Sequence, residues 1–179
     1  MAVTSGRTRR PRARGKNLPP AEPADHALGR SRGGWGSKLH LVTDGHGLPL
    51  AVVVSPGQAQ ESRYLEPALN AVRIPARRGR PRQRPDRVAG DKAYSYPHLR
   101  HWLEQHHIRA VIPTRSNQPR RALDQNADRR RRVIECAIGW LKEARRLATR
   151  YEKLAVHFLG VVKLAMIQKH LALTLSNTP

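Results

Sequence analysis

The hydrophobic and polar positions of the chain alternate most clearly between residues 38 and 54. Residues 38–43 follow the period of two that is typical of a half-buried strand, and residues 50–54 are a short apolar run rich in β-branched side chains. The Asp-Gly turn between these two runs predicts an antiparallel hairpin. Residues 61–72 then follow a helical pattern, which Pro67 weakens.

The pattern further along the chain predicts strands that alternate with helices. Residues 87–90 form a short apolar strand that ends in Asp91, and Ser95 can cap a helix over 96–106. Residues 110–113 predict another strand, and two long helices follow over 128–148 and 154–175. This order is typical of an α/β protein in which helices flank a mixed sheet.

Residues 1–37 lack this pattern. They are rich in Arg, Pro and Gly and poor in apolar side chains, so they predict a basic disordered arm and linker ahead of one ordered domain over 38–179. The single Cys136 excludes an internal disulfide and fits the reducing cytoplasm. No apolar run reaches membrane-spanning length, and no membrane partner is expected.

Charge then points to a class of partner. The chain has 34 Lys plus Arg against 13 Asp plus Glu, a formal net charge of +21. Such an excess of positive charge adds nothing to fold stability. It usually reflects binding to a polyanion, most commonly DNA or RNA. A plain solvated basic surface is the alternative. The Arg residues are spread along the whole chain, which favours nucleic-acid binding and a nucleoid-associated location.

Two acids carry the candidate chemistry. Asp91 follows a buried strand, where α/β sheets usually bind ligands, although Asp is also a common turn former there. Glu135 lies beside the apolar face of its helix, within about 40° of Arg131 and Lys142 on the 100° helical step. An intrahelical ion pair between Arg131 and Glu135 is the alternative explanation for that spacing.

Several segments resemble the insertion-sequence transposases of the DDE class. GDKAY at residues 90–94 resembles the segment around that family's second carboxylate. The family's signature around its last acid is Tyr, two residues, Arg, three residues, Glu, six residues, Lys. Arg131, Glu135 and Lys142 match it, whereas Asp128 stands at the Tyr position. Residues 29–41, 110–113 and 146–154 also resemble the family, in the same order.

The resemblance implies an RNase H-like mixed sheet flanked by helices, with Asp91 and Glu135 as catalytic residues and metal ligands. It implies Mg²⁺, with Mn²⁺ as a substitute, in a two-metal site for strand cleavage and strand transfer. The implied partner is double-stranded DNA, both transposon ends and target, contacted by Arg131, Lys142, Arg30 and Arg32. A homodimer is a further possible partner.

The family's first carboxylate has no counterpart in the sequence pattern. Residues 1–21 contain no Asp or Glu, Glu22 and Asp25 fall in a Pro-Ala linker, and Asp44 belongs to a hairpin turn. The sequence therefore predicts a truncated or decayed domain that lacks the first strand and has little activity alone. A non-catalytic basic nucleic-acid-binding protein remains the alternative function.

Overall fold

The computed structural model describes residues 1–9, 25–32, 34–119, 126 and 132–176. Six strands make up its sheet: β1 Ala2–Arg9, β2 Gly29–Ser31, β3 Gly34–Thr43, β4 Pro49–Pro56, β5 Arg87–Gly90 and β6 Arg109–Val111. Its helices are α1 Leu65–Asn70, α2 Pro97–Gln105, α3 Arg132–Glu143, α4 Arg145–Ala148 and α5 Ala155–Ser176. Short 3₁₀ turns at Glu61–Tyr64 and Lys92–Tyr94 precede α1 and α2.

The sheet is mixed. Strands run in the order β2-β3-β1-β5-β6. β2 pairs with residues 34–36 of β3, and β4 pairs with residues 37–43 of the same strand. β3 pairs antiparallel with β1, β2 and β4, while β1, β5 and β6 run parallel. Helices cover both faces, which confirms the predicted α/β class and is consistent with an RNase H-like domain.

The first strand corrects a sequence-based expectation. Ala2–Arg9 is not part of a disordered arm, because it lies between β3 and β5 at the centre of the sheet. Gly29–Ser31 also joins the sheet. A strand therefore stands ahead of the β3–β4 hairpin, where the sequence predicted none. Residues 34–37, the end of the predicted arm, belong to β3. Residues 10–24 and 33 of the arm lie outside the described residues, and the division at residue 37 stays a prediction.

The composition of β1 explains why its pattern is hard to see. Val3 is its one large apolar residue, and Ala, Thr and Gly alternate with Ser and Arg over the rest. Small side chains suit this strand because helix α3 lies directly on it: a Cβ on Gly6 would stand 2.9 Å from Cγ2 of Ile138. A central strand with small side chains is shielded from solvent by the helix and strands packed around it, and it does not need large apolar side chains of its own.

The sheet separates two apolar clusters. One face packs on α1 and α2 around Val3, Val42, Val88 and Leu103. The other face packs on α3, α4 and α5, with Leu39 and Leu41 of β3 against residues that include Ile138 and Phe158. Since Gly6 contacts Ile138, the even-numbered positions of β1 face α3 and the odd-numbered positions face α1 and α2.

Gly6→Val should lower the free energy of unfolding by about 1–3 kcal/mol, because the added methyl groups overlap Ile138 in a packed layer. Urea denaturation measures the change. Gly45→Ala is the matched control, since a Cβ on Gly45 meets no atom within 4 Å. Equal stability of the two variants would contradict the close packing of α3 on β1.

Helix α5 corrects a second expectation. Its 22 residues include a window of mean hydropathy 1.4, so by length and composition alone it could cross a membrane, and the expectation of no such run is wrong. Phe158, Val162 and Met166 on its inner face are buried in the core beneath β4. Its outer face is also apolar, and Leu164 and Leu175 are 67% and 72% exposed.

Candidate active site

Asp91 lies at the carboxyl end of β5, as predicted. Its backbone is extended, with φ −78° and ψ 173°, and its carboxylate accepts a hydrogen bond of 2.8 Å from the Ala93 amide. It thereby caps the 3₁₀ turn Lys92–Tyr94. The turn-forming role and a ligand role are compatible, because a carboxylate has two oxygens and more lone pairs than one amide uses.

The turn after Asp91 is anchored from below by Tyr94. The Tyr94 side chain is fully buried, and its hydroxyl lies 3.2 Å from Nδ1 of His40, whose Nε2 lies 2.8 Å from the Ser55 hydroxyl. Burial raises the pKa of Tyr94 above its ordinary value, and burial together with the Lys38 ammonium lowers the pKa of His40 to about 4. Both groups are therefore neutral near pH 7, which suits a buried hydrogen-bonded anchor.

A cation holds the same turn from outside. Arg115 donates hydrogen bonds from Nε to the Lys92 carbonyl at 2.9 Å and from a terminal nitrogen to the Ala93 carbonyl at 3.1 Å. Its guanidinium also lies 4.2 Å from the centre of the Tyr96 ring. Neither Arg115 nor His40 had a sequence signal, because their partners are backbone carbonyls and residues distant in sequence.

The register of the sheet identifies the neighbour of Asp91. Val3 of β1 pairs in parallel with Gly90 of β5, so Thr4 is the strand position beside Asp91. Thr4 faces α3 with the other even-numbered residues of β1. A Cβ on Gly90 would lie 3.5 Å from atoms of Tyr94 and Ile112, which belong to the cluster on the α1 and α2 side of the sheet. Because side chains alternate along an extended chain, the next residue, Asp91, points to the α3 side.

Glu135 lies on α3 at the level of Thr4. Val133 contacts the hairpin residue Gly47 and Ile138 contacts Gly6, so α3 runs in the same direction as β1. Glu135 precedes Ile138 by about 4.5 Å of helix, and Thr4 precedes Gly6 by about 7 Å of strand. Glu135 is exposed. Both acids therefore lie on the α3 side of the sheet, and their joint role as catalytic residues stays a prediction.

The oxygen donors at this position fall short of a two-metal site. Among the described residues, no three His, Cys, Asp or Glu side chains come together in a group that could hold a metal ion. The position beside Asp91 carries the Thr4 hydroxyl and no carboxylate. Asp44 lies in the hairpin turn, where it accepts hydrogen bonds from the His46 and Leu48 amides.

Some of the predicted DNA-contacting residues lie near one another. Lys142 lines a cleft of about 230 Å³ whose other lining residues include Ser31, Gly34 and Trp35. Arg30 pairs with Trp35 across β2 and β3, and Arg32 is exposed in the turn that follows β2. The fourth predicted contact, Arg131, lies outside the described residues.

The comparisons with known proteins define the class. A model of the transposase DDE domain matches residues 8–168, so the chain belongs to that family. Two relatives refine the class: a protein of Burkholderia cepacia named as a transposase for insertion sequence element IS402 is 35% identical over 121 residues, and one of Brucella ovis named for IS6501 is 33% identical over 134 residues. The chain thus belongs with the insertion-sequence transposases of the DDE class.

The matched regions differ in extent. The match covers 67% of this chain and 56% of the IS402 protein, so the chain spans about half the length of that relative. It covers 72% of this chain and 93% of the IS6501 protein. No solved structure matches the chain significantly.

Proposed function

We propose that this chain is the DNA-binding core of an insertion-sequence transposase whose family reaction is metal-dependent strand cleavage and strand transfer, and that the chain as given binds DNA without cleaving it. The observation that carries the proposal is the register of β1 against β5, which sets the Thr4 hydroxyl beside Asp91 on the side of the sheet that α3 covers. Asp91 and Glu135 are the two acids of the proposed site, and the strand position beside Asp91 adds a hydroxyl and no third carboxylate.

Transposases of this family generally use a divalent metal ion. Mg²⁺ is the proposed ion, because Asp91 and Glu135 supply the oxygen ligands that hard cations prefer. Two carboxylates offset the mutual repulsion of two divalent ions poorly, and one threonine hydroxyl adds no charge. The present residues therefore do not fit the two-metal site, and no catalytic step is assigned to this chain.

Double-stranded DNA, as transposon ends and as target, is the proposed partner. A net charge of +21 and the cleft beside Lys142 support it. A cytoplasmic, nucleoid-associated location follows from such a partner, and a homodimer stays a prediction. The alternative is a basic protein that binds nucleic acid and has no catalytic ancestry. The two functions differ in one testable respect, because such a protein would not gain DNA cleavage when a third metal-binding carboxylate is added.

Binding to a labelled duplex of arbitrary sequence should weaken steeply with salt. If six or more positive charges contact phosphates, affinity falls by about 10³-fold or more between about 50 and 200 mM salt, because each contact releases counterions. Fluorescence anisotropy at several salt concentrations measures the slope. A second duplex of unrelated sequence should give nearly the same curve, since phosphate contacts carry no sequence information. A flat salt response would remove the DNA assignment.

A further inference from the structure

The loop between α1 and β5 is strongly basic. Residues 77–86 contain five Arg and one acid, Asp86, and all six of these side chains are exposed. Asp86 is already paired, because a terminal nitrogen of Arg82 donates hydrogen bonds of 2.9 and 3.0 Å to its two carboxylate oxygens. Within the part of the chain that the structure describes, Arg78 and Arg80 form no ion pair, so their charge is available to a ligand.

The base of this loop is held in a fixed shape. Ile74 and Arg82 exchange two backbone hydrogen bonds, of 3.0 and 2.9 Å, which close the loop. Pro81 restricts the backbone just before this closure, and Pro85 is buried. The pair between Arg82 and Asp86 ties the returning arm of the loop to the residue that precedes β5. A loop that is ordered before it binds loses less conformational entropy on binding.

The tip of the loop presents Arg-Gly-Arg around a bare peptide. Gly79 has φ 85°, a left-handed conformation that glycine adopts at no steric cost. A Cβ on Gly79 would meet no described atom within 4 Å, so none of the described atoms stands in front of this backbone. Arg78 and Arg80 flank the glycine, and two cationic side chains therefore leave the chain on either side of it.

The dimensions of this tip suit one groove of duplex DNA. The minor groove is about 6 Å wide, and neighbouring strands in a sheet lie about 4.8 Å apart, so a backbone without side chains can enter it. The major groove is about 12 Å wide and takes a helix or a two-stranded ribbon, whereas residues 77–80 form neither. Narrow A·T-rich minor grooves also have an enhanced negative potential, which attracts inserted Arg side chains. Shape and charge therefore favour the same groove.

The loop is separated from the candidate active site. It precedes β5, whereas Asp91 follows β5, and from Arg87 to Asp91 the chain covers about 13 Å of strand. The amino end of β1 lies at the loop end of β5, since the Met1 amino group donates a hydrogen bond of 3.0 Å to the Arg87 carbonyl. Contacts between the loop and DNA are therefore additional to any contact at Asp91.

We propose that the loop over residues 77–82 binds the minor groove of duplex DNA, with Gly79 against the groove floor, Arg78 and Arg80 directed along the groove, and a preference for A·T pairs. A G·C pair carries the guanine 2-amino group in this groove, which keeps the glycine backbone from a close approach. The inference rests on the proposed function, since it takes DNA as the ligand. It adds a preference for base composition, so duplexes of unrelated sequence but equal A·T content still bind alike.

The first experiment changes only the minor groove of the DNA. Fluorescence anisotropy compares three duplexes of equal length, which carry a central A·T tract, a G·C tract, or the G·C tract with inosine in place of guanine. Inosine lacks the 2-amino group, so its pair with cytosine has a minor groove like that of A·T and a major groove like that of G·C. The A·T and inosine duplexes should bind about 10-fold more tightly than the G·C duplex, a factor typical of one unfavourable base pair.

The second experiment changes the loop. Arg78→Gln/Arg80→Gln should bring the ratio of affinities for the A·T and G·C duplexes close to one. Gly79→Asn should also lower this ratio, because Asn tolerates a positive φ while its side chain fills the space in front of the backbone. Arg63→Gln/Arg145→Gln is the matched control, since it removes two exposed charges outside the loop and should weaken all duplexes at an unchanged ratio. Circular dichroism of each variant checks folding.

The outcomes separate the two proposals. No binding of any duplex by the original chain would overturn the proposed function. Equal affinity for the A·T and G·C duplexes, an inosine duplex that follows the G·C duplex, or a loop variant that keeps the full ratio would overturn the minor-groove assignment and leave DNA binding intact. An A·U duplex of RNA should bind more weakly than the A·T duplex, because its minor groove is wide and shallow, and equal or tighter binding of RNA would also overturn the assignment.

Discussion

Thr4→Asp is expected to turn a DNA-binding chain without measurable nuclease activity into one that nicks supercoiled DNA in Mn²⁺ or Mg²⁺. The substitution places a third carboxylate beside Asp91, on the face that α3 covers. Without metal, the new carboxylate is buried next to a like charge and lowers the melting temperature. Divalent ions should restore that temperature, since a ligand at 100 times its Kd adds about 2.7 kcal/mol.

Two controls make this prediction specific. Thr8→Asp adds the same charge on the same face but four residues away, about 13 Å along the strand, so it should bring neither nicking nor metal-dependent stabilisation. Asp91→Asn or Glu135→Gln in the Thr4→Asp protein should lower nicking by more than about 100-fold, because loss of even an outer-shell partner costs 10–100-fold. Metal-dependent cleavage by the original chain, or nicking that survives both of these changes, would contradict the assignment.

Arg150→Ala is expected to lower the free energy of unfolding by about 3–5 kcal/mol, because it removes a large buried side chain and leaves its acceptors without a donor. The Arg150 side chain is fully buried. Its guanidinium donates hydrogen bonds to the Ser37 hydroxyl and to the Glu152 and Lys153 carbonyls, and it lies 5.0 Å from the centre of the Phe158 ring. Alanine leaves the buried Ser37 hydroxyl and the two partly buried carbonyls without this donor.

Urea denaturation measures the loss, with Arg145→Ala as the control. Arg145 is exposed on α4, so its removal should change stability by less than about 0.5 kcal/mol. Arg150→Lys should recover only part of the loss, because one ammonium lacks the planar fork that reaches three separate acceptors. A stable Arg150→Ala protein would show that the network contributes little.

Strong local patterns made the β3–β4 hairpin and β5 predictable. β5 begins and ends where the sequence predicted, and the hairpin of β3 and β4 differs by a few residues at its ends. The α1 region forms a 3₁₀ turn and a short helix, and the predicted helix over 128–148 is divided at Ala144, whose backbone is extended. Such local breaks leave little trace in hydrophobic periodicity.

The centre of the sheet was not predictable in the same way. β1 is buried through its neighbours, and its Ala, Thr and Gly residues have no amphipathic signal of their own. Since this segment also contains no Asp or Glu, the sequence pattern predicts no strand there. Pairing between Val3 and Gly90 is a long-range contact, and only that register reveals Thr4 beside Asp91.

Asp91, Glu135 and Lys142 were recognisable because each belongs to a local motif. Arg7, Arg9 and Trp35 have no such motif, because the cleft that they line assembles from β1, β3 and α3, which are far apart in sequence. Arg150 was missed for a different reason: an Arg in a basic chain is ordinarily a surface residue, and only the packing of Phe158 shows that it is enclosed.

The apolar outer face of α5 affects how the protein can be purified. Leu164, Ile167 and Leu171 are exposed on a helix without acidic residues, and patches of this kind promote aggregation. Salt removes bound nucleic acid from a basic protein, but sulfate and phosphate also strengthen apolar association. Ammonium sulfate would therefore strip the DNA and precipitate the bare protein in one step, whereas a chloride wash would separate the two events.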